Sequence, residues 1–193
     1  MIGKSVPGVL LTAVLFSVSA NGETWAIDSH KSSLTVHVFK SGLFSAFGDN
    51  HEVRAAIASG SVTGGDQPAV EIAVNARQMT VLDPDLAPAK RAEVQKTMLG
   101  PDVLDVAKFP EIRFKSTAVR TLGEGHWRIE GALSLHGHSV PLSFEVTGTK
   151  ERFRGSATVS QRAFGIKPIS AGGGTVNVKD EVKVDFDIVT VAP

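Results

Sequence analysis

Period-two alternation of apolar and polar residues restricts this chain more than any other feature. Val182, Val184, Phe186 and Ile188 alternate with Lys183, Asp185 and Asp187. Trp127, Ile129, Leu133 and Leu135 alternate with Arg128, Glu130, Ser134 and His136. Val140, Leu142, Phe144 and Val146 alternate with Ser143, Glu145 and Thr147. Successive side chains of a strand point to opposite faces, so each run predicts a strand with one dry face and one wet face. Shorter runs of one parity predict further strands at Leu34–Val38, Val53–Ile57, Val70–Val74, Ile112–Phe114 and Ala157–Val159. That makes eight strands, separated by turn signals at Gly64-Gly65, Gly123-Glu124-Gly125, Gly137 and Gly148. One polar face per strand favours antiparallel pairing, since parallel strands are usually apolar on both faces. The expected fold is all-β, a single antiparallel, barrel-like domain.

One short helix is expected between the third and fourth of these strands. Asp83-Pro84-Asp85 opens it, and Pro88 suits a first turn, where its missing N–H is harmless. Ala87, Val94 and Met98 fall near one face, and Gly100-Pro101 ends it, with Gly100 expected as a left-handed C-cap. Such a helix could close one end of a barrel. The last strand could run from Thr175 to Val191, roughly 50 Å if unbroken against a usual ~20 Å. That length implies a tall barrel or a strand that bends midway. An eight-stranded barrel holds either packed side chains or one small ligand.

The first twenty residues differ in kind. Lys4 is their only charge, Val9–Val18 is apolar except for Thr12 and Ser17, and Ser19-Ala20 follows. A basic start, a short apolar core and a small-residue exit read as a secretory signal peptide at 1–20, too short for a span of about 20 apolar residues. Cleavage is expected after Ala20 or Gly22, by signal peptidase. Without Lys4 the remaining chain carries 19 basic and 20 acidic residues, a net charge of −1. That balance offers nothing to nucleic acid, and no basic cluster faces a membrane. Cysteine is absent, which excludes thiol nucleophiles and Cys-ligated metal, and leaves an exported protein to stand on its core alone. The combination suits a bacterial periplasm.

Candidate chemistry is sparse. His136-Gly137-His138 would be a metal pair only within one continuous strand, but Gly137 is expected to make a hairpin, which leaves a solvated turn and no metal site. His51 shares its parity with Val53, Ala55 and Ile57 and should point inward, either as a satisfied core group or as a ligand contact. Asp83 and Asp85 flank a proline and read as turn and cap residues. Gly172-Gly173-Gly174 lacks the Gly-Lys-Ser/Thr of a phosphate loop, and no serine sits in a G-x-S-x-G elbow. An alternative function, metal binding or catalysis by His51, His136 and His138, stays open on residues alone. The aromatics are hydrocarbon-rich, with no tyrosine: Phe39, Phe44 and Phe47 crowd one stretch with Leu43, while Phe109, Phe114, Phe144, Phe164 and Phe186 are spread over other segments. They either pack a core or line a greasy cavity. The parity of Phe39 is opposite to that of Val36 and Val38, so it needs a bulge to face inward.

Five segments in order resemble the YceI family. They are Trp25–Ser32, Gly42–Gly48, Leu104–Phe114, Glu130–Gly137 and Gln161–Ile166, and the likeness spans residues 24–191. Ala163 stands where the family often has an acidic residue before Phe164. The resemblance implies a YceI-like domain over 24–191 folded as an elongated, eight-stranded, lipocalin-like antiparallel barrel. It implies a channel binding a polyisoprenoid or similar long-chain lipid for storage or transport in the periplasm, without catalysis or cofactor. Phe39, Leu43, Phe44, Phe47, His51, Phe114, Leu133, Phe144 and Phe164 are the residues expected at the ligand, and Arg162 is expected to meet a charged head group at the mouth. Expected partners are the lipid, a second copy in a homodimer and signal peptidase during export; no nucleic acid is expected.

Overall fold

A computed structural model of the protein describes residues 22–41, 50–171 and 176–192. The expected signal peptide, the Leu43, Phe44 and Phe47 segment and the Gly172–Gly174 loop lie outside the described residues.

Each of the eight predicted runs forms a strand, longer than its apolar core. They are β2 (Ser33–Ser41), β3 (His51–Thr63), β4 (Ala69–Val81), β5 (Glu111–Gly123), β6 (His126–Leu135), β7 (His138–Gly148), β8 (Arg152–Ser160) and β10 (Val176–Val191). Two short strands escaped the alternation: β1 (Thr24–Ile27) and β9 (Ser170–Ala171) are too brief to show a period. All pairings are antiparallel, in the order β2-β3-β4-β5-β6-β7-β8-β10, and β10 pairs back onto β2. The sheet thus closes into an eight-stranded barrel and leaves no long edge to aggregate. β1 bridges β10 and β3 at one end, while β9 pairs the start of β10 at the other.

Turn chemistry holds this register. His136 and Gly137 both have positive φ, 51° and 76°, the conformation a two-residue β6–β7 hairpin requires. The long β10 bends: opposite β2 it shifts register between Val178 and Val182, where four residues of β10 match two of β2. β4 carries a larger irregularity, for its pairing with β3 passes from Asn75 directly to Thr80. The outer faces carry cross-strand ion pairs, among them Lys115–Glu71 at 2.7 Å and Arg128–Glu145 at 2.7 Å. Exposed pairs of this kind contribute about 0–1 kcal/mol each and mainly fix registry.

The helix α1 (Pro88–Leu99) joins β4 to β5. It starts later than expected, because Asp83 is occupied elsewhere and Ala87 is the N-cap residue. Gly100 ends it, but at φ −75° and ψ 177°, an extended rather than left-handed cap; its N–H donates to the Thr97 carbonyl. Val94, Met98 and Leu99 pack on the barrel core with Leu104, so this segment covers one end of the barrel. The other end holds the β3–β4, β5–β6 and β7–β8 turns and β1.

Candidate ligand cavity

The inward face of every barrel strand contributes to one internal cavity of about 670 Å³, within the ~300–1,000 Å³ typical of ligand pockets. The parity rule accounts for the wall. Val36 and Val38 come from β2, Val53 and Ala55 from β3, Ile72 and Val74 from β4, Ile112 and Phe114 from β5. Ile129, Leu133 and Leu135 come from β6, Leu142, Phe144 and Val146 from β7, Ala157 and Val159 from β8, and Val182, Val184, Phe186 and Ile188 from β10. A void this apolar has few hydrogen bonds to offer water and accepts hydrocarbon instead.

Three rings of its wall meet one another. Phe144 lies 5.2 Å from Phe114 and 5.4 Å from Phe186, both pairs tilted or edge-on, although β7 is not adjacent to β5 or β10 in the sheet. Two glycines make room for these rings. A Cβ on Gly131 would stand 2.5 Å from Phe114 Cζ, and one on Gly155 would stand 2.6 Å from Phe186 Cζ. Neither glycine has a positive φ, so the requirement is space against a ring and not backbone conformation.

Of the expected ligand contacts, Phe114, Leu133 and Phe144 line the cavity. Four others stand elsewhere. Phe39 faces outward and stacks on His37 with ring centroids 6.5 Å apart; the bulge it needed lies in β10, so β2 keeps its regular parity. His51 does point toward the barrel, but its Nδ1 donates to Asp83 Oδ2 at 2.6 Å. Asp83 is buried, and its Oδ1 accepts the Glu52 N–H at 2.8 Å, while Arg91 Nη1 donates to its carbonyl. A buried carboxylate needs such partners, so His51 and Asp83 form a structural pair at the rim beside α1. Phe164 is 3% exposed and packed in the core beneath the helix-side end, not on the cavity. Arg162 lies on the exposed surface of a 3-10 helix (Arg162–Phe164), its N–H bound to Asp180 Oδ1, and lines nothing.

The remaining histidines do not assemble with His51. His136 is hydrogen-bonded through Nδ1 to the Phe164 carbonyl at 3.1 Å and tilts against Phe109 at 4.8 Å. His138 lies over Gly165, outside that contact. Among the described residues, no three His, Cys, Asp or Glu side chains gather as a metal centre needs.

Sequence reasoning missed several lining residues. Met79 reaches the cavity from the irregular part of β4, Met98 from α1, and Leu104 and Ile166 from connections. Trp25 and Lys150, from β1 and the β7–β8 turn, are also on the wall. None of these lies on a regular alternating run.

A family model described as YceI-like domain matches residues 25–190. A UPF0312 protein of Pseudomonas syringae pv. tomato (strain ATCC BAA-871 / DC3000) is 38% identical over 106 residues, covering 50% of this chain and 53% of that protein. A UPF0312 protein of Pseudomonas putida (strain W619) is 33% identical over 105 residues, covering 49% of this chain and 55% of its own length. The chain spans about half the length of the curated relatives it matches. Among solved structures, Burkholderia cenocepacia BcnA superposes with a TM-score of 0.68 at 18% identity, covering 86% of this chain and 99% of that one. A polyisoprenoid binding domain from Saccharophagus degradans, implicated in plant cell wall breakdown, superposes with a TM-score of 0.57 at 14% identity, covering 88% and 98%. Likenesses at these identities establish a shared fold.

Proposed function

The chain belongs to the YceI-like domain family, and on that footing we propose that it binds one long-chain apolar ligand, a polyisoprenoid or similar lipid, inside its barrel. The observation that carries this reading is the cavity of about 670 Å³, walled by apolar side chains from all eight barrel strands. A chain burying about 400 Å² of apolar surface there gains roughly 10 kcal/mol before ordering costs. Affinity of that kind needs no metal, cofactor or nucleophile, and the reading is of a binding protein without catalysis. The solved likeness named for polyisoprenoid binding supports the same ligand class. Storage or transport of the lipid in the periplasm, after removal of residues 1–20, completes the proposal. The N-terminal composition supports export.

Extraction of the purified protein with organic solvent, followed by mass spectrometry, tests the ligand. A stoichiometric long-chain lipid is expected. Bound zinc or copper without lipid would favour a metalloprotein, and the absence of both would refute the lipid reading. Intact mass of protein recovered from the periplasm tests export: a species that retains Met1–Ala20 refutes the cleavage.

A further inference from the structure

The two ends of the cavity differ in chemistry. At the helix side, among the described residues, the wall is made by Met98, Val103, Leu104, Leu135, Ile166 and half-buried Gln161, none of them exposed. At the turn side the wall includes the exposed residues Glu23, Gly65, Asp66 and Lys150, so here the cavity reaches solvent. Lys150 is the one cation on the described wall.

Lys150 is also held in place. Its Nζ lies 5.6 Å from the centre of the Trp25 ring, a cation–π distance. Its carbonyl accepts a 2.6 Å hydrogen bond from the buried Thr190 hydroxyl, and the Thr190 N–H donates to the Glu151 carbonyl. The turn between β7 and β8 is thereby bolted to the end of β10. Among the described residues no ion pair engages Lys150 Nζ. An ammonium held over an aromatic face still has N–H donors to give.

Resting on the reading of the cavity as a lipid site, we propose that Lys150 binds the oxygen head group of the ligand, so that the lipid lies with its head at the turn end and its tail toward α1. Glu23 and Asp66 line the same turn-side wall as Lys150, leaving the described mouth with a formal net charge of −1. That balance suits an uncharged hydrogen-bond acceptor, a hydroxyl or a carbonyl, and opposes a phosphate.

The two tryptophans make this orientation measurable. Trp25 and Trp127 are the chain's only two, and both line the turn-side end. Along β6, Leu135 at the far end is eight residues from Trp127, roughly 26 Å away. The experiment titrates the full protein, stripped of lipid, with a long-chain alcohol brominated beside the hydroxyl and with the same alcohol brominated at the far end of its chain. Heavy-atom quenching acts at contact, so the head-brominated alcohol is expected to quench tryptophan emission and the tail-brominated one to leave it nearly unchanged. Stronger quenching by the tail-brominated alcohol overturns the orientation while leaving lipid binding intact. If neither alcohol binds in a competition assay, the cavity reading itself fails. In Lys150→Met, which keeps the stem over Trp25, the preference for the alcohol over the alkane of the same length is expected to fall about tenfold. An unchanged preference removes Lys150 as the head-group contact. Tighter binding of the phosphate monoester than of the alcohol refutes the uncharged head.

Discussion

Replacing Phe144 with alanine separates a cavity wall from a packed core. A fully packed phenylalanine truncated to alanine costs about 3–5 kcal/mol of stability. Phe144 is half-buried and already borders empty space, so part of that loss is absent. What it does lose is its contact with Phe114 at 5.2 Å and Phe186 at 5.4 Å, each pair worth about 0.5–1.5 kcal/mol. Adding a partial transfer term, the lipid-free variant should be destabilised by about 2–3 kcal/mol. Lipid retention should fall as well, because the ligand loses contact with a ring of the cavity wall. The assay is urea unfolding of lipid-stripped protein, followed by tryptophan emission, alongside lipid content per folded molecule. Loss of 4 kcal/mol or more with lipid content unchanged would show that Phe144 is core, and the assignment of the cavity wall at β7 would be wrong.

Three further outcomes follow from the same geometry. Gly131→Ala should destabilise the barrel by about 1–3 kcal/mol, because its Cβ would stand 2.5 Å from both Phe114 Cζ and the Lys115 carbonyl; an unfolding midpoint equal to wild type would show that the ring yields freely. Acid should weaken the seam between β8 and β10, since hydrogen bonds from Arg152 and then Arg154 hold the Asp187 carboxyl down to about 2 from its ordinary 3.8. A depressed acid contributes stability that is complete above its ordinary value and lost as pH falls through the folded one, here between about pH 4 and pH 2. With both arginines half-exposed this amounts to on the order of 1 kcal/mol, so Asp187→Asn should show a shallower loss of stability across that window, and an identical pH profile would discount the pair. Asp83→Ala should leave His51 Nδ1 and the Glu52 N–H without their acceptor and destabilise the protein by about 1–3 kcal/mol without altering the affinity for a long-chain alcohol; a matching loss of affinity would place His51 at the ligand after all.

Much of the fold was legible in the residues because parity is a local property. A strand turns its side chains by the same rule wherever it lies, so Val182, Val184, Phe186 and Ile188 declare one face before any partner is known. The hairpin at Gly137 was equally local, since the positive φ it needs suits few other residues. The same locality explains Phe39: its parity already pointed outward, and only the position of the bulge, in β10 and not in β2, settled that it stays there.

What tertiary structure alone decided depends on distance across the barrel. Parity names the residues that face inward but not how far apart opposite walls stand, which follows from strand number and tilt. Whether Phe114, Phe144 and Phe186 fill a core or border a cavity was therefore undetermined by composition. The sites of interest also join residues remote in sequence. Lys150 meets Trp25 through closure of the sheet, and Asp83 captures His51 through the pairing of β3 with β4, neither through any motif. Met79 and Met98 reach the wall from an irregular stretch and from a helix, where no two-residue period exists to reveal them. Local rules thus determined which face of each strand is dry, while the closure of the sheet determined that those faces enclose a space and which charged side chains stand at its mouth.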